Sequence, residues 1–372
     1  MIPVVLKASV SFFATTDDAK TRFVSLECFY SHRGRVGIEI TYRRRGEGVV
    51  ATNYRLIAAD GRQWQLMNPT QMYTVFLDEL NQGADTFISD RFDVCNRAML
   101  AMTTAARKIE HFHNIHFADY HDPEHSALTY PSIAETELLA RTDMVITPTK
   151  AQAQDMRARL HTTVPIVNIP VGSVPKERLS APQIAQSQRI RGKVVIVARM
   201  FYEKHLDDAL WAFKQAHDQL DWLTLDLYGY GDGATDYRDE QLLHELVKTQ
   251  HLENCVHFAG YTDDIDHVYD QAQVMLLSSR FEGFCLAILE AAAHGVPTVS
   301  YDTHYGPSEL IKPGVSGELV AYGDVDALAA KLITVCRDDD YRQALSKGAY
   351  QQAQSFSDDA VWARWQELVI DR

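Results

Sequence analysis

The chain has 372 residues, 46% of them hydrophobic and 23% charged, which suits two core-forming domains and excludes a disordered chain. A net charge of −14 argues against nucleic acid as a general partner. The five cysteines, Cys28, Cys95, Cys255, Cys285 and Cys336, are odd in number and contain no CxxC pair, so neither a disulfide framework nor a thiolate zinc site is expected. No apolar run approaches the roughly 18 residues of a membrane helix, and the opening MIPVVLKASVSFFATT lacks a basic leader and a cleavage pattern. The expectation is a cytoplasmic chain without a transmembrane segment, peripheral membrane association being left open.

Residues 22–67 alternate apolar and polar in short runs (FVSLECFY, RVGIEITYR, VVATNYRLIAA, QWQLM) split by glycine turns, the pattern of an antiparallel meander. This region is basic. Residues 1–65 hold ten Lys/Arg against six Asp/Glu, a net +4 that leaves −18 to residues 66–372. The arginines gather at turns: Arg33 and Arg35, Arg43 to Arg45, and Arg62. Two readings stay open, charged tips that keep a sheet soluble and a platform for a polyanionic partner.

After a helix near PTQMYTVFLDELN the rhythm becomes strand and helix in alternation: TFISD, a helix over 93–106, KIEHFHNIHF, a helix near 132–141, MVITPT, a helix over 150–160, and PIVNIPVG. A second series follows a polar stretch, with strands at KVVIVAR, LTLDLYG, VHFAG, VMLLS, PTVSYD and GELV and helices beginning LDDALWAFKQAH and QLLHELVKT. Both series read as parallel α/β architecture. Four segments are expected: a meander over 1–80, a Rossmann-like α/β domain over 81–174, a second Rossmann-like α/β domain over 175–355, and a last helix over 356–372.

The segment RFEGFCLAILEAAAHGVP keeps Glu282 and Glu290 inside an apolar run. A strand, a turn at FEGF and a helix over 284–294 stopped by Gly295 and Pro297 put Glu282 at the helix mouth and Glu290 two turns in. Positions eight apart on a helix differ by roughly 12 Å, so the two carboxylates cannot share a proton. They suit two contacts along an extended ligand, with free backbone N–H groups at the mouth for phosphate. Spacing alone equally allows a solvent-facing Glu290 and a Glu282 that merely favours the helix dipole. Arg199, at the end of a parallel strand, and Lys204, before the next helix, are placed to grip phosphates, although such a pair is also common on surfaces.

In this order Arg199, Lys204, FAGYTDD, SSRFEGFCLAILEAAAHGVPTVSYD and YGPSELIKPGVSGELV resemble the donor domain of retaining GT-B glycosyltransferases of family four. The resemblance runs from about residue 85 to the last helix, FSDDAVWARWQELV. The meander with FISDR, HFHNIHF and YDTHYGPSELI is most like the poly(glycerol-phosphate) α-glucosyltransferase group that decorates teichoic acids, and is also similar to glycosyltransferases acting on serine-rich adhesins. The implied fold is α/β GT-B, two Rossmann-like domains with an N-terminal antiparallel meander and an incomplete first domain.

The resemblance implies that Arg199 and Lys204 bind the donor diphosphate, Glu282 the hydroxyls of the transferred sugar, and Glu290 the ribose. Backbone at Gly283, Phe284 and Cys285 would hold phosphate, Gly260 and Tyr261 would border the uracil, and His116, or less securely His113, would reach into the cleft. The implied activity is retaining transfer of glucose or N-acetylglucosamine from a UDP-sugar, itself a substrate, to an anionic polymer or a protein, with no cofactor and no metal. A homo-oligomer or a partner chain is expected. Family members usually open with a strand and a glycine-rich loop, whereas no glycine precedes residue 30 here; a separate chain or a shortened relative with impaired activity would account for that. A non-catalytic glycopolymer-binding or scaffolding partner is therefore the alternative. A metal-dependent hydrolase, suggested by His111, His113, His116, His121 and His125 beside Asp119, Asp122 and Glu124, lacks further ligands at a recognisable spacing.

Overall fold

The computed structural model describes residues 8–15, 22–30, 35–46, 48–83, 85–90 and 95–371. Arg33 of the basic turns, Arg91 of FISDR and the start of the helix expected over 93–106 lie outside them. The chain divides into two compact units, one of Met1–His111 with Tyr130–Val145 and one of Phe112–Thr129 with Ile146–Arg372.

In the first unit, β1 (Ala8–Thr15), β2 (Arg22–Tyr30), β3 (Val36–Arg45), β4 (Gly48–Ile57) and β5 (Gln63–Leu66) form one antiparallel sheet in chain order. The expected meander starts at β2, so β1 is an addition; it pairs with β2 from Ala8↔Tyr30 to Thr15↔Arg22. Period-two alternation puts Ile38, Tyr54 and Leu56 on one face, where they bury against Met72 of α1 (Pro69–Leu80). Asn68 caps α1, its side chain accepting from the Gln71 N–H at 2.9 Å, and Pro69 fills the first turn.

The parallel pair β6 (Thr86–Ser89) and β7 (Arg107–His111) flanks α2 (Asn96–Leu100). The longer helix expected there stops early because the Asp78 carboxylate takes the backbone N–H and hydroxyl of both Thr103 and Thr104 at 2.7–3.1 Å, drawing the chain out of helical geometry. α3 (Thr136–Leu139) follows a short 3₁₀ turn, and β8 (Met144–Thr147) leads from this unit into the next.

The strand expected over 108–117 ends at His111. Asn114 holds its continuation as a loop, its side chain accepting from the Ile115 N–H and its carbonyl from Gln152 Nε2, both at 2.8 Å. Gln152 lies in α4 (Lys150–Leu160), which precedes the short β9 (Ile166–Asn168) and α5 (Lys176–Ser180).

The remainder is a doubly wound sheet. Its strands are β10 (Lys193–Val197), β11 (Thr224–Tyr228), β12 (Val256–Gly260), β13 (Val274–Leu277), β14 (Thr298–Asp302) and β15 (Gly317–Ala321). All pair in parallel, in the order β12-β11-β10-β13-β14-β15. Val194 and Ile196 enter one core with α6 (Leu206–His217), while Val195 enters the other, as a sheet covered on both faces requires. α7 (Arg238–Thr249), α8 (Ile265–Gln271), α9 (Leu286–Ala293), α10 (Gly306–Leu310), α11 (Val325–Arg337) and α12 (Asp339–Gln354) complete the crossovers. α13 (Asp358–Trp365) ties back to β9 through Arg364 Nη1 donating to Asn168 Oδ1 at 3.1 Å. Among the described residues no helix is long and apolar enough to cross a membrane.

Candidate active site

Strand order reverses between β10 and β13. In open parallel sheets such a switch point leaves a crevice beyond the strand ends, because the connections on either side run in opposite directions. The loops that leave β10 and β13 carry Arg199, Lys204 and Glu282.

Lys204 Nζ donates to Glu282 Oε1 at 2.7 Å, and Ser279 Oγ donates to the same oxygen at 2.7 Å. The side chains of Lys204 and Glu282 are only 16% and 9% exposed. Burial pulls the Lys204 ammonium down, but Glu282, with Cys285 and Glu203, outweighs it and holds the pKa above the ordinary lysine value. Lys204 therefore stays charged. Burial, reinforced by Glu282, raises the Cys285 thiol well above its usual range, so it is no nucleophile at neutral pH.

The loop around Glu282 is fixed by its neighbours. The Glu282 N–H donates to the His304 carbonyl at 2.7 Å and the Tyr305 N–H to the Glu282 carbonyl at 2.6 Å. A Cβ on Gly283 would stand 2.3 Å from the His113 carbonyl oxygen, an approach no side chain permits. Phe284 is buried. Cys285, at φ 70°, turns the chain into α9, whose start falls two residues later than expected.

Arg199 stands apart. Its side chain is 52% exposed, pairs with Glu203 Oε1 at 3.1 Å, and lies 4.4 Å over the Phe201 ring. The shared neighbour is Glu203, which also acts on Lys204. Glu290 is exposed on α9 and accepts from the buried Tyr269 hydroxyl at 3.2 Å. Gly260 closes β12 at φ +71°, a left-handed conformation that glycine adopts freely, and the following Tyr261 is 71% exposed. The exposed Tyr230 ring lies 6.3 Å from that of Tyr261, giving the ends of β11 and β12 an aromatic pair; its only trace in the sequence is GYGDG after a strand.

His116 is not held out to solvent. It is 1% exposed, its ring stacked 5.9 Å from Tyr305, whose hydroxyl donates to Asp155 at 2.8 Å. Burial, aided by the charges of Arg159 and His304, pushes its pKa down to about 4, so it is neutral at pH 7. The exposed histidine beside Gly283 is His113. Of the other histidines, His111 Nδ1 lies 3.2 Å from Asp90, and His125 Nδ1 lies 3.0 Å from Asp122. His205, Asp207 and Asp208 bring potential ligand atoms within 4.8 Å of one another, but Asp208 already accepts from the Tyr301 hydroxyl at 2.8 Å. A cavity of about 540 Å³ in the first unit, lined by Leu100, Met102, Lys108, Arg141 and Asp143 among others, contains none of the predicted site residues.

Residues 181–352 match the family described as Glycosyl transferases group 1. This stretch is a group 1 glycosyl transferase domain. The chain is 31% identical over 173 residues to the poly(glycerol-phosphate) alpha-glucosyltransferase of Bacillus subtilis (strain 168), a match covering 46% of this chain and 25% of that protein. It is 28% identical over 211 residues to the UDP-N-acetylglucosamine–peptide N-acetylglucosaminyltransferase GtfA subunit of Streptococcus pneumoniae serotype 4 (strain ATCC BAA-334 / TIGR4), covering 55% of this chain and 39% of that protein. The chain thus spans between a quarter and two fifths of the length of these curated relatives. The crystal structure of TarM superposes with a TM-score of 0.77 at 19% identity, over 96% of this chain and 68% of that one. At that identity the likeness shows the fold, which is GT-B with an N-terminal antiparallel meander.

Proposed function

We propose that this chain is a retaining glycosyltransferase that moves glucose or N-acetylglucosamine from a UDP-sugar to a polymeric acceptor, poly(glycerol phosphate). The observation that carries the reading is the buried Lys204–Glu282 pair, 2.7 Å apart at the switch point of a group 1 glycosyl transferase domain. A fixed cation and a fixed carboxylate at the mouth of α9 suit the two ends of the bond to be broken. Lys204, with Arg199 swinging from Glu203, would meet the charge that develops on the leaving diphosphate, and backbone N–H groups of Gly283 to Cys285 would share it. Glu282 would accept from the sugar hydroxyls, Glu290 from the ribose, and the backbone at Gly260 with the Tyr230–Tyr261 pair would border the uracil.

Retention follows in this reading from attack on the face the diphosphate leaves, a departing phosphate oxygen taking the acceptor proton. The positive charge comes from the chain's own residues, so no separate cofactor enters, and turnover is expected to be unchanged by EDTA. Of the two histidines, His113 would face the sugar and His116 would hold the loop behind it. The cytoplasm, where nucleotide sugars are made, is the compartment this reading assigns.

A second acceptor, a serine-rich protein, is favoured by the likeness to the peptide-directed GtfA subunit, whose designation as a subunit also supports a partner chain. The experiment that tests the proposal is a donor screen with UDP-glucose and UDP-N-acetylglucosamine on poly(glycerol phosphate) and on a serine-rich peptide, read by mass. Transfer of one hexose to the polymer is the expected result; no turnover with either donor, while polymer binding survives, would favour the scaffolding alternative.

A further inference from the structure

Three cations cluster on the loops after β10 and β13, and two of them are already paired: Arg199 with Glu203 and Lys204 with Glu282. Arg280 is the third, and among the described residues no carboxylate pairs with it. Its neighbours are phenols. Arg280 Nη1 donates to the Tyr120 hydroxyl at 2.9 Å and the Tyr322 hydroxyl at 3.1 Å, and Nε donates to the Tyr202 carbonyl at 3.1 Å. The guanidinium lies 4.2 Å over the Tyr202 ring and 5.8 Å from that of Tyr120. His205 stands 6.0 Å from Tyr322, ring to ring, completing the wall.

A guanidinium kept charged by aromatic faces and hydroxyls, with no acid to neutralise it, retains a demand for an anion. The Tyr202 and Tyr322 hydroxyls hydrogen-bond that of Tyr120, which leaves the Tyr120 O–H as the donor of the cluster that can turn to a ligand. Tyr202 is 59% exposed, so the group is open to solvent. Arg280 faces Tyr322, which follows β15, and His205, which precedes α6, whereas Tyr230 and Tyr261 follow β11 and β12 on the other side of the sheet. An anion bound here is therefore placed away from the nucleobase side of the crevice.

We propose that Arg280, with Tyr120, Tyr202 and Tyr322, is the subsite for a phosphodiester group of the acceptor. This rests on the transferase reading above. It assigns the acceptor to the anionic class, because a neutral hydroxylated acceptor would leave the Arg280 charge unanswered.

The test is binding of a short glycerol-phosphate oligomer and, separately, of UDP, by the parent chain and by Arg280→Gln and Tyr322→Phe. The expected result is that Arg280→Gln weakens the oligomer by about tenfold, one charge-assisted contact, with UDP affinity unchanged, and that Tyr322→Phe, which keeps the ring, weakens it less. Equal oligomer affinity in parent and Arg280→Gln, or a parent that binds no oligomer, overturns the subsite. An equal loss of UDP and oligomer binding also overturns it, by making Arg280 a staple of the loops. A parent that binds the oligomer through Arg280 but does not bind UDP would refute the transferase reading alone.

Discussion

At the residue scale, Lys204 and Glu282 depend on one another. Each is nearly out of solvent, so removing one leaves the other as a buried, uncompensated charge. Lys204→Ala is expected to cost roughly 3 kcal/mol of unfolding free energy, the lower end of what breaking a buried pair costs, as well as turnover. Chemical denaturation of Lys204→Ala beside the double variant Lys204→Met/Glu282→Gln checks this. The double variant, with no orphan charge, should recover most of the stability and none of the activity, and a single variant as stable as the parent would contradict the account. Each position was legible in the sequence because both residues sit at fixed places on strand–turn–helix units, but their direct contact was not, since it joins loops far apart in the chain. The burial of His116 was not legible either, since it depends on the ring of Tyr305, distant in the chain, stacking against it.

At the element scale, two features make predictions. In β7, burial pushes the Glu110 carboxyl up to about 8, partly offset by Ser89. The folded first unit holds a proton that the unfolded chain releases above its ordinary value of 4.5. Stability is therefore fully present below that value and falls as pH rises towards 8. Thermal unfolding between pH 5 and about 8 should show a falling Tm that Glu110→Gln flattens, and an identical slope in parent and variant would dismiss the assignment. At the end of β3, Arg43, Arg44 and Arg45 are all exposed beside Val49 and Val50. Arg62, by contrast, is neutralised by Asp60 and Glu79, each at 2.7 Å. The Arg43–Arg45 tip is therefore where the platform reading can be tested. Reversing its three charges should weaken binding of a long anionic polymer at low salt, with the difference vanishing near 1 M, where screening extends only about 3 Å. Equal affinity at low salt would assign the tip to solubility.

Strands with clean alternation or continuous apolar runs, such as β3, β4 and β10 to β15, were legible because their period is local. The short α2 and the truncated β7 were not. Asp78 and Asn114 override local propensity there by capturing backbone groups from distant or neighbouring turns, a competition that periodicity does not register.

At the scale of the whole molecule, the two units differ in kind. The first holds the basic tip and the proton-binding Glu110; the second holds a reversed parallel sheet with every predicted donor contact at its strand ends or on α9. The sheet order accounts for how residues as far apart in the chain as Lys204, Tyr261 and Glu282 share one edge, and no pattern within a single segment carries that order. The Arg280 cluster was hidden for the same reason, since Tyr120, Tyr202 and Tyr322 come from three separate connections.

The most direct test of the central claim is hexose transfer from UDP-glucose and UDP-N-acetylglucosamine to poly(glycerol phosphate), measured for the parent and for Glu282→Gln, with the product anomer read by nuclear magnetic resonance. The account predicts an α-linked product from the parent and a loss of turnover of at least about a hundredfold in the variant, as expected when a contact to the transition state is removed, measured where the variant, less stable for its orphaned Lys204, is still folded. Equal rates in parent and variant, or a β-linked product, would contradict it.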